Sequence, residues 1–242
     1  MFHGKMKAVT FSFDDGVQDD KIMIKMLDKY GLKGTFNINT GRMGLVRRQP
    51  DPRFTTPNHD ADHSEIAAEE IKEVYKNHEV AVHTVSHARL PKATDEEVIR
   101  QVEEDRKTIE SLVGYDVVGM AYPYGDVDDR VAKLIAENTP IWYGRAIPDT
   151  SDFYDLQADN LLQYRPTVHF SKPDVLFPLA EKFLAEKNPE KPMLLYVWGH
   201  TYEAEGYEYW DKFEEFCKMI SGKDDTFYGT NREVFECIRN AK

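Results

Sequence analysis

Apolar residues alternate along the chain between short β-branched or aromatic runs and longer stretches with helical spacing. The first run, from Ala8, is a strand by composition and ends at Asp14-Asp15-Gly16. Asp20–Tyr30 then sets Ile22, Met23, Met26 and Leu27 on one helical face, with Gly31 as the stop. Further strands are predicted at Thr35–Asn39, Glu79–His83, Val117–Tyr122, Ile141–Arg145 and Met193–Trp198. Leu161–Val168, interrupted by Pro166, and Phe227–Gly229 are shorter candidates. Helices are predicted over Ser64–Asn77, Thr94–Val113, Asp128–Asn138, Pro173–Lys187, Tyr207–Ile220 and Arg232–Asn240. Thr40–His63 and Pro148–Asn160 read as polar loops.

Seven or eight strand–helix units imply an α/β fold whose parallel sheet, about seven strands wide, closes or nearly closes into a (β/α) barrel. An open doubly wound sheet is the alternative, but no Gly-rich phosphate loop follows any strand. No repeat, linker or low-complexity tract divides residues 1–242, so one domain is expected.

The polar residues gather in register with the strands. Asp14 and Asp15 follow the first strand, His83 ends the third and His87 lies four residues on. Tyr124 follows the fourth, Arg145 ends the fifth and His200 follows the seventh. In a barrel these are one face, the usual place for an active site. Two carboxylates in one pocket repel unless a metal or a proton intervenes, and Gly16 permits the bend that brings both in. His83-Thr-Val-Ser-His87 pairs two imidazoles if it makes one helical turn, and with one aspartate gives a His₂-carboxylate set for a divalent metal. His59-Asp-Ala-Asp-His63 has the same spacing but lies in the polar loop and reads as solvated; His3, His78 and His169 read as structural.

Charge narrows the partners. The net charge of −12 and the lack of any basic block argue against nucleic acid or an anionic membrane surface. No apolar run approaches the ~20 residues of a membrane span, and no signal-type segment precedes the first strand, so a cytoplasmic location is expected. Cys217 and Cys237 sit in amphipathic helical patterns and read as free thiols.

With these residues assembled, the chain resembles the polysaccharide deacetylases of carbohydrate esterase family 4, the NodB-homology domain. Thr10-Phe-Ser-Phe-Asp-Asp-Gly16 is similar to the family's first motif, His83-Thr-Val-Ser-His87 to its metal motif, Tyr122-Pro-Tyr-Gly125 to its third and Tyr196-Val-Trp-Gly-His200 to its last. The resemblance implies a distorted (β/α) barrel and a divalent metal on Asp15, His83 and His87, with zinc expected and cobalt or nickel as alternatives. It further implies Asp14 as base, the Tyr124 backbone N–H as oxyanion donor, and His200 as acid in hydrolysis of N- or O-acetyl groups by a metal-activated water. One departure is that Ala121 stands where the family carries the arginine that orients the base. Arg145, ending the next strand, is the expected substitute. The fourth motif is unclear, with Asp149 and Asp152 as loose candidates.

The implied substrate is an acetylated oligosaccharide or small acetylated sugar, with Tyr202 and Trp210 as candidate stacking residues and Trp142 and Trp198 assigned to the core. A metal-dependent amidohydrolase acting on a small non-sugar amide would use the same ligands. A non-catalytic sugar-binding relative would need neither base nor acid. Nothing in the sequence fixes the oligomeric state.

Overall fold

The computed structural model describes residues 1–54 and 60–241. In chain order its elements are β1 (Lys7–Asp15), α1 (Asp20–Lys29), β2 (Gly34–Ile38), β3 (Arg48–Pro50), β4 (Asp60–Asp62), α2 (Ile71–Val74), β5 (Glu79–Val82), α3 (Asp95–Val113) and β6 (Gly119–Ala121). There follow α4 (Asp129–Asn138), β7 (Tyr143–Arg145), β8 (Val168–His169), α5 (Pro173–Ala185), β9 (Met193–Gly199), α6 (Tyr202–Gly206), α7 (Trp210–Ile220), β10 (Thr226–Tyr228) and α8 (Asn231–Arg239).

The main sheet runs β7-β6-β5-β2-β1-β9-β8 with every pairing parallel, and β10 joins β1 at Lys7–Val9. Between its two edges the chain from Tyr164 to His169 acts as a stitch. Tyr164 bridges Arg145 of β7 in parallel, and Val168–His169 pair with Val197–Trp198 of β9. The result is the (β/α) barrel that the periodicity predicts, in the distorted form that the resemblance implies.

Alternation along β1 sorts its side chains. Phe11 and Phe13 pack edge-on against Phe213 of α7 and belong to the core between sheet and helices. Ala8 faces the other way, into a second cluster with Tyr143, Tyr164, Tyr196 and Phe235 that α8 plugs from below. Thr10 and Ser12 share that inward face, bonded to Asn231 and Asn37. Asp14 is next in this row and tops the interior.

Two predicted helices differ. Of Ser64–Asn77, only the turn Ala68–Glu70 and α2 are helical. Val17 bridges Glu65 and the Ile66 N–H donates to the Gly16 carbonyl at 2.9 Å, so tertiary pairing holds this stretch extended against the loop after β1. Tyr207–Ile220 breaks into α6 and α7, with Glu208 between them at φ 52°. Among the described residues no helix is long and apolar enough to cross a membrane.

Candidate active site

Asp14 and Asp15 end β1 with different neighbours. The Arg145 guanidinium pairs with Asp14 Oδ2, and Asn37 Nδ2 donates to Oδ1 at 2.9 Å. Burial pushes the Asp14 carboxyl up, but Arg145, His83 and His200 together hold it below the usual range. Asp15 would point outward if the strand simply continued. Its φ of 79° turns it back, and Gly16 at φ 66° completes the bend where any Cβ would stand 2.8 Å from Ile38 Cγ2.

Asp15 Oδ1 faces two imidazoles, 3.8 Å from His83 Nε2 and 3.5 Å from His87 Nε2. The ligand atoms of this trio lie within 4.8 Å of one another. The segment 83–87 is not the helical turn that the spacing suggested. Thr84 and His87 take φ of 65° and 61°, and Ala88 N–H donates to Thr84 Oγ1. Two outer groups fix the loop: Asn39 Nδ2 donates to the Thr84 carbonyl at 2.8 Å, and Asp105 of α3 accepts from the His83 and Thr40 backbone N–H groups at 3.0 and 2.8 Å.

The donor set fits a metal. The Ala121 carbonyl, 2.8 Å from His83 Nδ1, accepts that ring's proton and leaves the Nε2 lone pair facing Asp15. His83 Nε2 and Asp15 Oδ1 are buried with no hydrogen-bond partner, the condition of ligands prepared for an ion. Burial lowers the pKa of both histidines, His87 to about 4, so they are neutral as ligation requires.

Arg145 is 1% exposed and its guanidinium lies 4.3 Å over the Trp198 ring. Asp149 fixes that ring by accepting the indole N–H at 2.6 Å. Asp152, the other loose candidate, turns instead to the Tyr154 N–H at an exposed bend. Tyr124 takes φ 61° in the turn after β6, its ring 4.5 Å from His87 and 3.8 Å from the Arg89 guanidinium. Beyond Tyr124 opens a cavity of about 920 Å³ whose walls include Arg89, Asp126, Asp155, Asn160, Gln163 and Arg165.

His200 stands across Asp14 from the metal group, Nε2 3.9 Å from Asp14 Oδ2. Burial opposes its charge, yet Glu203, Asp15 and Asp14 prevail and raise its pKa to about 9. No motif singles out Glu203 as a site residue, although it stands three residues past His200, a spacing that brings side chains together on a helical turn. His169 lies beside the site, its Nε2 3.2 Å from Glu203. His63 is buried, not solvated, with its ring 4.1 Å from Tyr202; His59 lies outside the described residues.

The two candidate stacking residues separate. Tyr202 is 5% exposed between the His63 and His200 rings, so it forms a wall of the site and presents no open platform. Trp210 packs against the main core and donates its indole N–H to Glu205 at 3.0 Å. No contact among the described residues links Trp210 to the cluster.

A buried carboxylate paired with arginine, a trio of ligand-type side chains and a histidine of raised pKa thus gather at the carboxyl ends of barrel strands, the usual place for an active site. Comparison with known proteins agrees: the family model for polysaccharide deacetylase matches residues 3–140, and the chain belongs to that family. The match covers Asp14, Asp15, His83, His87 and Tyr124, and stops short of Arg145 and His200.

The chain is similar to chitin deacetylase 1 of Cryptococcus neoformans var. grubii, 34% identical over 127 residues that are 52% of this chain and 23% of that protein. It is also similar to a peptidoglycan-N-acetylglucosamine deacetylase of Listeria monocytogenes, 25% identical over 53% of this chain and 24% of the relative. The chain thus spans about a quarter of the length of these curated relatives. Among solved structures, a putative polysaccharide deacetylase from Mycobacterium smegmatis aligns over 98% of this chain and 92% of its own, with a TM-score of 0.66 at 16% identity. The Xyl-CE4 domain of a multidomain xylanase from the hindgut metagenome of Trinervitermes trinervoides aligns over 96% and 90%, with a TM-score of 0.56 at 15% identity. At such identities the likeness is one of fold.

Proposed function

We propose that the protein is a metal-dependent deacetylase that hydrolyses acetyl groups on sugars or oligosaccharides. The observation that carries this reading is the division between Asp14 and Asp15. One carboxylate is pinned by Arg145 and Asn37, and the next faces two neutral imidazoles. A binding module would need neither a pinned base nor a charged histidine opposite it.

Asp15, His83 and His87 would hold the divalent ion, zinc by the nature of the donors, with cobalt or nickel as substitutes. Such an ion supplies Lewis-acid polarisation of the acetyl carbonyl and of the attacking water. Asp14, kept ionised by Arg145, accepts the water's proton at Oδ2. The Tyr124 backbone N–H donates to the oxyanion, its position set by the left-handed residue. His200, charged at neutral pH, gives its Nε2 proton to the leaving group. The polar cavity beyond Tyr124 supports a sugar-sized substrate over a small amide.

The test is acetate release from acetylated xylo- and chito-oligosaccharides by chelator-stripped protein given zinc, cobalt or nickel. Release should return with metal and vanish in Asp14→Asn. An amine leaves only with a proton, so His200→Ala should slow N-acetyl substrates more than activated esters. No release with any metal would count against the whole reading, and equal losses on both substrates against the acid role.

A further inference from the structure

A second cluster of the same composition adjoins the first. His169 ends β8, His200 follows β9 and Glu203 lies in α6, and their ligand atoms fall within 4.8 Å of one another. His169 Nε2 stands 3.2 Å from one Glu203 oxygen and His200 Nδ1 3.5 Å from the other. Donors about 2.0–2.1 Å from a tetrahedral ion are about 3.3–3.4 Å apart, so each histidine–glutamate spacing suits one and the trio as a whole needs only a small contraction. His200 Nδ1 is buried without a hydrogen-bond partner and faces this group. Each opposite ring nitrogen has a polar neighbour on the side away from the cluster. Ser171 Oγ lies 2.9 Å from His169 Nδ1, which also accepts the Ser171 backbone N–H at 3.3 Å, and Asp14 Oδ2 lies 3.9 Å from His200 Nε2.

We propose that His169, His200 and Glu203 form a second, weaker divalent-ion site that fills when zinc is in excess and turns the deacetylase off. Weakness follows from what must be displaced: the Arg53 guanidinium, 3.3 Å from Glu203, and the proton on His200 Nδ1. Binding releases that one proton to water. The His169 proton moves from Nε2 to Nδ1, where the Ser171 hydroxyl accepts its hydrogen bond and the long bond from the Ser171 backbone N–H is given up, a further cost to binding. His200 then keeps Nε2–H on a neutral ring, which would have to become imidazolate to give the proton up. The leaving group therefore goes unprotonated. Ion binding rests on the geometry alone; the inhibition rests on His200 being the acid proposed above.

The test is equilibrium dialysis of chelator-stripped protein against zinc chloride, with acetate release measured in parallel. Wild type should bind two ions, the second about tenfold or more weakly. His169→Gln, whose amide N–H can still donate to Glu203 but ligates zinc poorly, should bind one. His83→Ala should retain a weak ion that the added His169→Gln removes. As the second ion binds, the wild-type rate should fall about fivefold or more, while His169→Gln keeps its own rate at one equivalent. One ion in wild type, or two in His169→Gln, overturns the site. A filled second site with an unchanged rate overturns the inhibition. The dialysis counts stand even if no substrate is cleaved, so failure of the deacetylase reading remains distinguishable.

Discussion

Adjacent carboxylates at one strand end behave differently because of one dihedral angle and one arginine. The left-handed turn at Asp15 commits it to the histidines, while Arg145 commits Asp14 to the barrel interior. Removing Arg145 strands a buried charge. Arg145→Met should cost about 3–5 kcal/mol in denaturant unfolding, and the double variant with Asp14→Asn should recover part of it. Equal losses in the single and double variants would show that the pair is not coupled. His200 offers a pH test of the same kind. An acid works below its pKa, so turnover of an N-acetyl substrate should fall as pH rises through about 9. Glu203→Gln removes the anion that opposes burial, and the alkaline limb should then move down by about one to two pH units. An unmoved limb would mean that Glu203 does not support the charge on His200.

At the scale of elements, the strands are legible because each buries a β-prone run, and their carboxyl ends bring the seven candidate residues to one face. The helix over 64–77 is not, because tertiary pairing of Glu65 and Ile66 outweighs a helical period. The turn at His83–His87 is also hidden. Its start at His83 and Thr84 is held by Asn39 and Asp105, partners 44 and 22 residues away from His83 that no local pattern announces. Glu203 was local and could have been read. Asp105 converts the position of α3 into the position of a ligand. Asp105→Ala leaves two backbone N–H groups without their acceptor, which should destabilise the protein by about 2–4 kcal/mol. It should also weaken zinc binding about 10–100-fold, measured by competition with a chelator. A lower melting temperature with unchanged zinc affinity would make Asp105 a purely structural residue.

Across the whole molecule, Asp20 ties three distant pieces of chain. It opens α1, is fully buried, accepts the Tyr75 hydroxyl at 2.7 Å beyond α2 and the Thr201 hydroxyl at 2.6 Å beside His200. Burial lifts its pKa to about 8, with Asp19 and Asp15 adding to the rise and the two hydroxyls opposing it. The unfolded chain has an ordinary aspartate near 3.8, so the folded state binds the extra proton between these values. The stabilisation is therefore complete below about pH 4 and is lost as pH rises through about 8. Metal-free protein should accordingly need less denaturant to unfold at pH 8.5 than at pH 5, by a difference on the order of a few kcal/mol. Asp20→Asn keeps the neutral shape and should flatten that slope while retaining most of the low-pH stability. A slope equal to that of wild type would show that the proton is held elsewhere in the barrel. The same tie runs directly under the catalytic face, since Thr201 follows His200 in the chain. Ionisation of Asp20 strengthens the two hydroxyl bonds but leaves a desolvated charge, so stability falls at the alkaline end of the range in which His200 would have to stay charged, and stability and acid catalysis should decline together.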